Sequence, residues 1–425
     1  MSTTVSPVLT RRAFTLHEDW VVVVLGGLLI GLSLLGLPFA VPVFNWNNTA
    51  ELTGKVFSAA NLQLILAQFV YLAAVAGIGA RLTGKSVRNF ALGFPLVYLL
   101  TLLALIVAGS PQARGLGLEA VIFSLLAGLI VSNVFGLPDW LRATLTTELF
   151  VKIGLVLLGT SVIFGDILKA GSLGLVQALV VVLSVWYFAF WTCRKLKVDD
   201  ELTMMIASGV SICGVSAAIA TAGAIKGDSK KLSYVISLVL ITAIPMMIFM
   251  PYAAHWLGLS QEVTGAWLGG SIDTTGAVVA SGTLVGETAL KISTIVKFSQ
   301  NVLLGLAAFA ISLYWTYTNH PNAAEPEGKP TLGVIWERFP KFVLGFIAAS
   351  LLFSFFLAPE TTDGLKAGLK SAQGWWFALA FTSIGLETNF NDLFKQENKK
   401  PLYAFLLAQT FNIFVTLGIA YLLFR

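Results

Sequence analysis

Five ionisable side chains lie inside long apolar stretches of this 425-residue chain: Lys152, Asp166, Asp273, Lys297 and Glu387. A charge in such surroundings is costly, so a chain that keeps one gives it a partner, a cavity or an ion to carry. Asp273 stands in GGSIDTTGAVVASG (269–282), a run of small and hydroxyl residues. A carboxylate beside Ser271, Thr274, Thr275 and Gly276 offers the oxygen ligands that would suit a sodium ion or a proton. The plainer reading of the same residues is a hydrogen-bonded Asp that stabilises helix packing. Lys152 and Lys297 each sit a turn or two into an apolar run. They read either as cationic posts for an anion or as lysines whose stems snorkel to the interface. A Lys297–Asp273 ion pair is a third arrangement, and would make both structural. Glu387 follows Ser383-Ile384-Gly385 near the end of its run. There a ligand role stands beside that of a solvated helix-end charge. Asp166, in an FGDILK that echoes FNDLFK around Asp392, reads as a helix-boundary or capping residue.

A second stretch, LTMMIASGVSICGVSAAIATAGAIKGD (202–228), has the length of a membrane span. Its middle carries Gly209, Ser211, Cys213, Gly214 and Ser216 where a lipid-facing helix would carry Leu, Ile or Phe. This favours an interrupted helix, tolerated at membrane depth only where protein or water meets the freed backbone groups. Such breaks form the substrate sites of secondary transporters. Small residues equally suit close helix packing. The candidate substrate-binding residues are therefore Ser211, Cys213, Gly214, Ser216, Ser271, Lys297 and Ser383; those for ion coupling are Asp273, Thr274, Thr275 and Glu387. Enzyme chemistry is not expected. HExxH, Walker and GxSxG motifs are absent. His17, His255 and His320 fall in loops or at span ends, so Ser211, Cys213 and Ser216 lack a base within a span. Cys193 and Cys213 have no metal-ligand spacing, and no cofactor is implied.

The elements that must position these residues are membrane helices. The chain is 56% hydrophobic and 12% charged, with mean hydropathy +0.83, whereas soluble domains carry about 25% charge. Apolar runs of ~20 residues separated by short charged loops make an all-α polytopic membrane protein of about thirteen transmembrane helices. The spans are expected at 20–44, 58–80, 92–110, 117–135, 148–166, 173–193, 203–225, 232–254, 262–284, 290–315, 337–358, 372–390 and 402–424. The first is too long for a signal peptide. The net charge of +5 sits in loops beside spans and fits membrane orientation rather than nucleic-acid binding. With the N-terminus in the cytoplasm, Arg81, Lys85, Arg88, Arg194, Lys195, Lys197, Lys395, Lys399 and Lys400 fall inside. Lys226, Lys230 and Lys231 then fall outside, against the positive-inside rule.

An internal repeat is expected. VKIGLVLLG (151–159) resembles VKFSQNVLLG (296–305), KGDSKKLSY (226–234) resembles KQENKKPLY (395–403), and GLEAVIFSLLAGLI (117–130) pairs with SQEVTGAWLGGSI (260–272). The matches set five spans against five, an odd number that turns the second copy upside down. The resulting organisation is a polar segment (1–19), three N-terminal helices (20–116), a first five-helix repeat (117–256) and a second, inverted one (257–425). This register pairs 203–225 with 372–390.

Ser-Ile-Cys-Gly-Val-Ser-Ala-Ala (211–218), Gly-Ser-Ile-Asp (270–273), Val-Val-Ala-Ser-Gly (278–282) and Thr-Ile-Val-Lys (294–297) together carry a family resemblance. Over roughly 92–425 the chain resembles the YeiH-like bacterial membrane proteins, described as sulfate exporters and grouped with cation/proton antiporters and bile-acid/sodium symporters. The resemblance implies a panel domain and a core domain in which two broken helices cross, 203–225 and 372–390 by the repeat register. Many members carry His-Glu after Ser-Ile, where this chain has Asp273-Thr274. Spans 20–44 and 58–80 lie outside the match and suit oligomer contacts, such as a homodimer. The implied function is secondary transport, in the export direction, of a small oxyanion such as sulfate, sulfite or an organosulfonate. Protons or sodium would drive it across the cell (inner) membrane. The alternative is a cation/proton antiporter in which Asp273 and Glu387 carry the ions and no anion binds.

Overall fold

The computed structural model describes residues 16–425 except 38, 40, 116–119, 143, 320–332 and 391–398. His320, Asp392, Lys395 and most of the N-terminal polar segment lie outside the described residues. The regular structure among the described residues is all helical, with no strand. The principal helices are α1 (Glu18–Leu34), α2 (Ala59–Leu82), α3 (Val87–Ala108), α4 (Ala120–Ile130), α5 (Thr147–Leu158), α6 (Phe164–Lys195), α7 (Asp200–Ser211) and α8 (Val215–Ile225). They continue as α9 (Ser229–Trp256), α10 (Gln261–Ser271), α11 (Thr275–Val285), α12 (Glu287–Asn319), α13 (Phe342–Leu351), α14 (Pro359–Glu387) and α15 (Lys400–Phe424). Six are long and apolar enough to cross a membrane: α2, α3, α6, α9, α12 (to Trp315) and α15.

Two of the expected spans do not cross. The segment 203–225 is a re-entrant hairpin of α7 and α8, whose outer ends meet. The Asp228 N–H donates to the Glu201 carboxylate at 3.0 Å, and Lys231 pairs with Asp199 at 2.7 Å and Glu201 at 3.3 Å. The backbone N–H groups of Lys231 and Lys230 hold the Asp228 carboxyl below its ordinary range. The segment 262–284 is a second hairpin, of α10 and α11. At its base a side chain on Gly286 would lie 2.8 Å from the Gln261 amide oxygen. Each hairpin thus returns the chain to the face it left.

Helix α9 links the two bases. Its 28 residues span about 42 Å at 1.5 Å per residue, enough to cross a bilayer. The hairpins therefore enter from opposite faces, and their tips meet between. The interruption expected at 372–390 is absent: 372–387 is the second half of the unbroken α14, and the partner of the first interruption is 272–274 instead. The short repeat matches misplaced it because apolar stretches resemble one another whatever their path.

The helices pack as two bodies. In the scaffold, α14 lies on α4 and α5, with α1, α2, α3 and α13 around them. In the core, α6, α12 and α15 hold both hairpins and α9. The contacts are backbone-close because glycines line them. Gly265 and Gly269, one turn apart on α10, face α12, where a Cβ would meet Ala289 O at 2.8 Å and Ser293 O at 2.5 Å. This is the small-xxx-small spacing of membrane helix pairs. Helix α11 meets α14 across the seam between the bodies.

Candidate functional site

The site is built where the two tips touch. At the first, Ile212 leaves helical geometry and Gly214 adopts φ +59°, a conformation that L side chains rarely take. A Cβ on Gly214 would lie 2.6 Å from Val239 Cγ1 and 3.1 Å from Asp273 Cβ. At the second, Ile272 and Thr274 are extended, and the Thr274 hydroxyl accepts from Ala277 N–H to cap α11.

Two interrupted helices leave unpaired carbonyls at the ends of α7 and α10. The core supplies their donors from side chains. The Lys297 ammonium donates to Ile212 O at 2.8 Å and to Gln300 Oε1 at 2.8 Å. Gln300 in turn donates to Ser211 O and Gly270 O. Gln409 donates to Ser271 O at 2.9 Å, Asn412 to Val210 O and Ser271 O, and Gln177 to Ala266 O. The amide of Gln300 and that of Asn412 each bridge both hairpins, which fixes one tip against the other.

The opposite ends, the N-termini of α8 and α11, face the seam. A cavity of about 250 Å³ there is lined by Cys213, Ser216, Thr275 and Asn301 from the core, with Lys152, Glu148 and Asp19 across from them and Glu337 and Arg338 at the core's edge. Helix α12 runs from the second hairpin's base, so its end, where Arg338 packs, lies on the first hairpin's face. The tips are reached from that face. A cavity of about 520 Å³ on the other face includes no tip residue. A pocket of about 40 Å³ beside the first cavity brings Glu387, Thr147 and Glu148 towards Val215 and Thr274.

The expected residues divide accordingly. Cys213, Gly214, Ser216, Ser271, Asp273, Thr274, Thr275 and Lys297 gather at the tips. The Ser211 hydroxyl is spent on Ala207 O. Ser383 stays within the scaffold, its hydroxyl on Leu379 O. Glu387 accepts from Thr147 at 2.7 Å and faces the seam from the scaffold, apart from Asp273. The Lys297–Asp273 pair does not form among the described residues, because Lys297 is committed to the first tip. Lys152 is not a free post: it pairs with Glu18 at 2.7 Å, Asp19 at 3.0 Å and Glu148 at 3.7 Å. Asp166 lies in the first turn of α6, whose N-cap is Ile163.

A family model described as conserved hypothetical protein 698 matches residues 92–404. The chain belongs to that family. It is 41% identical over 373 residues to a UPF0324 membrane protein of Rhodopirellula baltica, covering 85% of this chain and 68% of the relative. It is 39% identical to one of Nitratidesulfovibrio vulgaris, covering 82% and 62%. A Yersinia pestis relative is 26% identical, covering 74% and 88%. The chain thus spans about two thirds of the length of the first two. Their names state a membrane protein and nothing of a substrate. No solved structure matches. Family membership and the apolar helices together make this a multi-pass membrane protein.

Within the match to conserved hypothetical protein 698 lie both hairpins, Lys297 and Gln300; Gln409 and Asn412 fall just past its end. These two amides, with Gln177 and Arg338, are site residues that sequence reasoning missed. Their signal was there: an amide inside an apolar run is nearly as costly as a charge unless it finds a partner. Arg338 carried none: it stands second in the expected span 337–358, where a charge at a span end is ordinary.

Proposed function

We propose that the protein is a secondary transporter of a small oxyanion such as sulfate, sulfite or an organosulfonate, coupled to sodium or protons. The observation that carries this is the polarity of the paired tips. Their carbonyl ends are claimed by Lys297 and the amides, while the N-termini of α8 and α11 face the cavity. Helix N-termini favour anions. Arg338, which lines the same cavity, has no ion-pair partner among the described residues, and a guanidinium matches an oxyanion with two parallel N–H donors. Opposed re-entrant hairpins on a separate core body also suit alternating access, the core moving against the scaffold. The two hairpins, entering from opposite faces, would be the inverted elements. The orientation follows. With both arms of the first hairpin on one face, Lys226, Lys230 and Lys231 join Arg194, Lys195 and Lys197 there, and the positive-inside rule makes that face cytoplasmic. A cavity open to that face suits an exporter.

The test is thermal unfolding of detergent-purified protein across sulfate, sulfite, organosulfonates and carboxylates, followed by flux in proteoliposomes. A bound oxyanion at 100-fold its Kd should add about 2.7 kcal/mol, and Arg338→Gln should weaken binding at least tenfold. A flat oxyanion panel with a response to cations alone would replace this reading by the cation/proton antiporter.

A further inference from the structure

Four buried oxygens around the second tip accept no hydrogen bond: Ser271 Oγ, Asp273 Oδ2, Gln409 Oε1 and Gln177 Oε1. Their residues are 0%, 2%, 4% and 0% exposed. A buried acceptor without a donor is expensive, and a buried carboxylate more so. Turning the amides over would not help. Gln409 and Gln177 must present N–H groups to Ser271 O at 2.9 Å and Ala266 O at 2.7 Å, so their own oxygens are left to point elsewhere. The α10 carbonyls are met by Gln409, Asn412 and Gln300, and the Gln409 side chain also bonds the Asp273 carboxyl; what stays unmet is a hydroxyl, one carboxylate oxygen and two amide oxygens. The lysine at this level, Lys297, is spent on Ile212 O and Gln300. The first tip shows no comparable set, since Ser211 donates its hydroxyl and its carbonyl is met.

Unmet buried oxygens beside a helix C-terminus, one of them a carboxylate's, are the complement of a cation. We propose that the tip of the second hairpin is a binding site for a small monovalent cation, with Asp273, Ser271 and Gln409 as its oxygen ligands. The first tip closes over this side, where a Cβ on Gly214 would lie 3.1 Å from Asp273 Cβ. A carboxylate beside hydroxyl and amide oxygens is a hard donor set, which suits the smaller sodium and lithium better than potassium. Gln177, against Ala266, stands behind the site and holds α10 in place. The inference names the coupling ion of the transport reading and rests on that reading only for what the ion does; binding itself is measured without substrate.

The experiment is thermal unfolding of the full chain in detergent, in choline chloride at fixed ionic strength. Sodium, lithium or potassium replaces the choline, at two pH values. Sodium and lithium should raise Tm saturably, and potassium should not. Asp273→Asn and Gln409→Leu should abolish the response, whereas Asp200→Asn, at an exposed ion pair with Arg194, should keep it. Ser271→Ala removes one hydroxyl and should raise the half-saturating sodium concentration about tenfold; it decides the matter if Asp273→Asn does not purify. Equal shifts in all three salts, a full sodium response in Asp273→Asn and Ser271→Ala, or a shift that follows pH alone would overturn the site. Sulfate is also added in choline: a flat sulfate response with an intact sodium response removes the oxyanion reading and leaves the cation site standing.

Discussion

The two hairpin tips are built from similar residues and do opposite things. The first closes on itself. Gly214 turns the chain, Lys297 and Gln300 meet the carbonyls of Ile212 and Ser211, and Cys213 and Ser216 face the seam. The second is capped by Thr274 yet leaves Ser271 Oγ and Asp273 Oδ2 without donors. The difference is where the cationic donor goes. A single lysine serves both tips' level, and it is bonded to the first. The carbonyl side of the first tip is thereby complete, while that of the second keeps unspent ligand capacity beside it.

Three changes would break or sharpen this contrast. The largest effect is expected from Gly214→Ala. At φ +59° and ψ −107° an Ala lies outside the regions open to L residues, which costs about 1–3 kcal/mol, and its methyl would press on Val239 and Asp273, adding about 1–3 kcal/mol of overpacking. Thermal unfolding in detergent should show a loss of about 3 kcal/mol. An unchanged Tm would mean that the tips are not in contact. Next comes Lys297→Met, which orphans the carbonyl of Ile212. It should cost about 2 kcal/mol, read by the same unfolding, and should leave the sodium response of the second tip in place. Loss of that response would show that the tips share one site rather than two.

The smallest effect belongs to the first hairpin's base. Lys231→Gln, an exposed pair, should cost at most about 1 kcal/mol and less at high salt. Asp228 there has a depressed carboxyl. Its contribution is present above the unfolded value of about 3.9 and is lost as pH falls through the lower folded one. Amide exchange at Lys230 and Lys231, scaled for the intrinsic rate, should therefore quicken between about pH 4 and pH 2. Protection that is flat across that range would remove Asp228 from the base.

Much of the site was legible in the chain. Glycine, serine and cysteine from Gly209 to Ser216 mark an interruption because such residues are poor lipid-facing helix formers and good backbone neighbours, and the run around Asp273 marks a ligand set though not a break. Burial of Asp273 and Lys297 follows from their apolar flanks. Their division of labour does not: whether Lys297 pairs with Asp273 or with Ile212 O depends on how α12 sits against two other helices.

The sequence by itself determined an all-helical membrane protein, the first place where a helix breaks, and the small and hydroxyl residues around Asp273. All of these follow from local composition against a bilayer that tolerates no unpaired backbone. Only the tertiary structure decided that each broken segment turns back, that 272–274 and not 372–390 meets the first break, and that Gln409 and Asn412 close the carbonyl ends. Two half-helices of eleven or twelve residues sum to the hydropathy of one span whether they run on or return. What tells the two paths apart is contact between residues such as Glu201 and Asp228, or Ser271 and Gln409, and that contact exists only once the helices have packed.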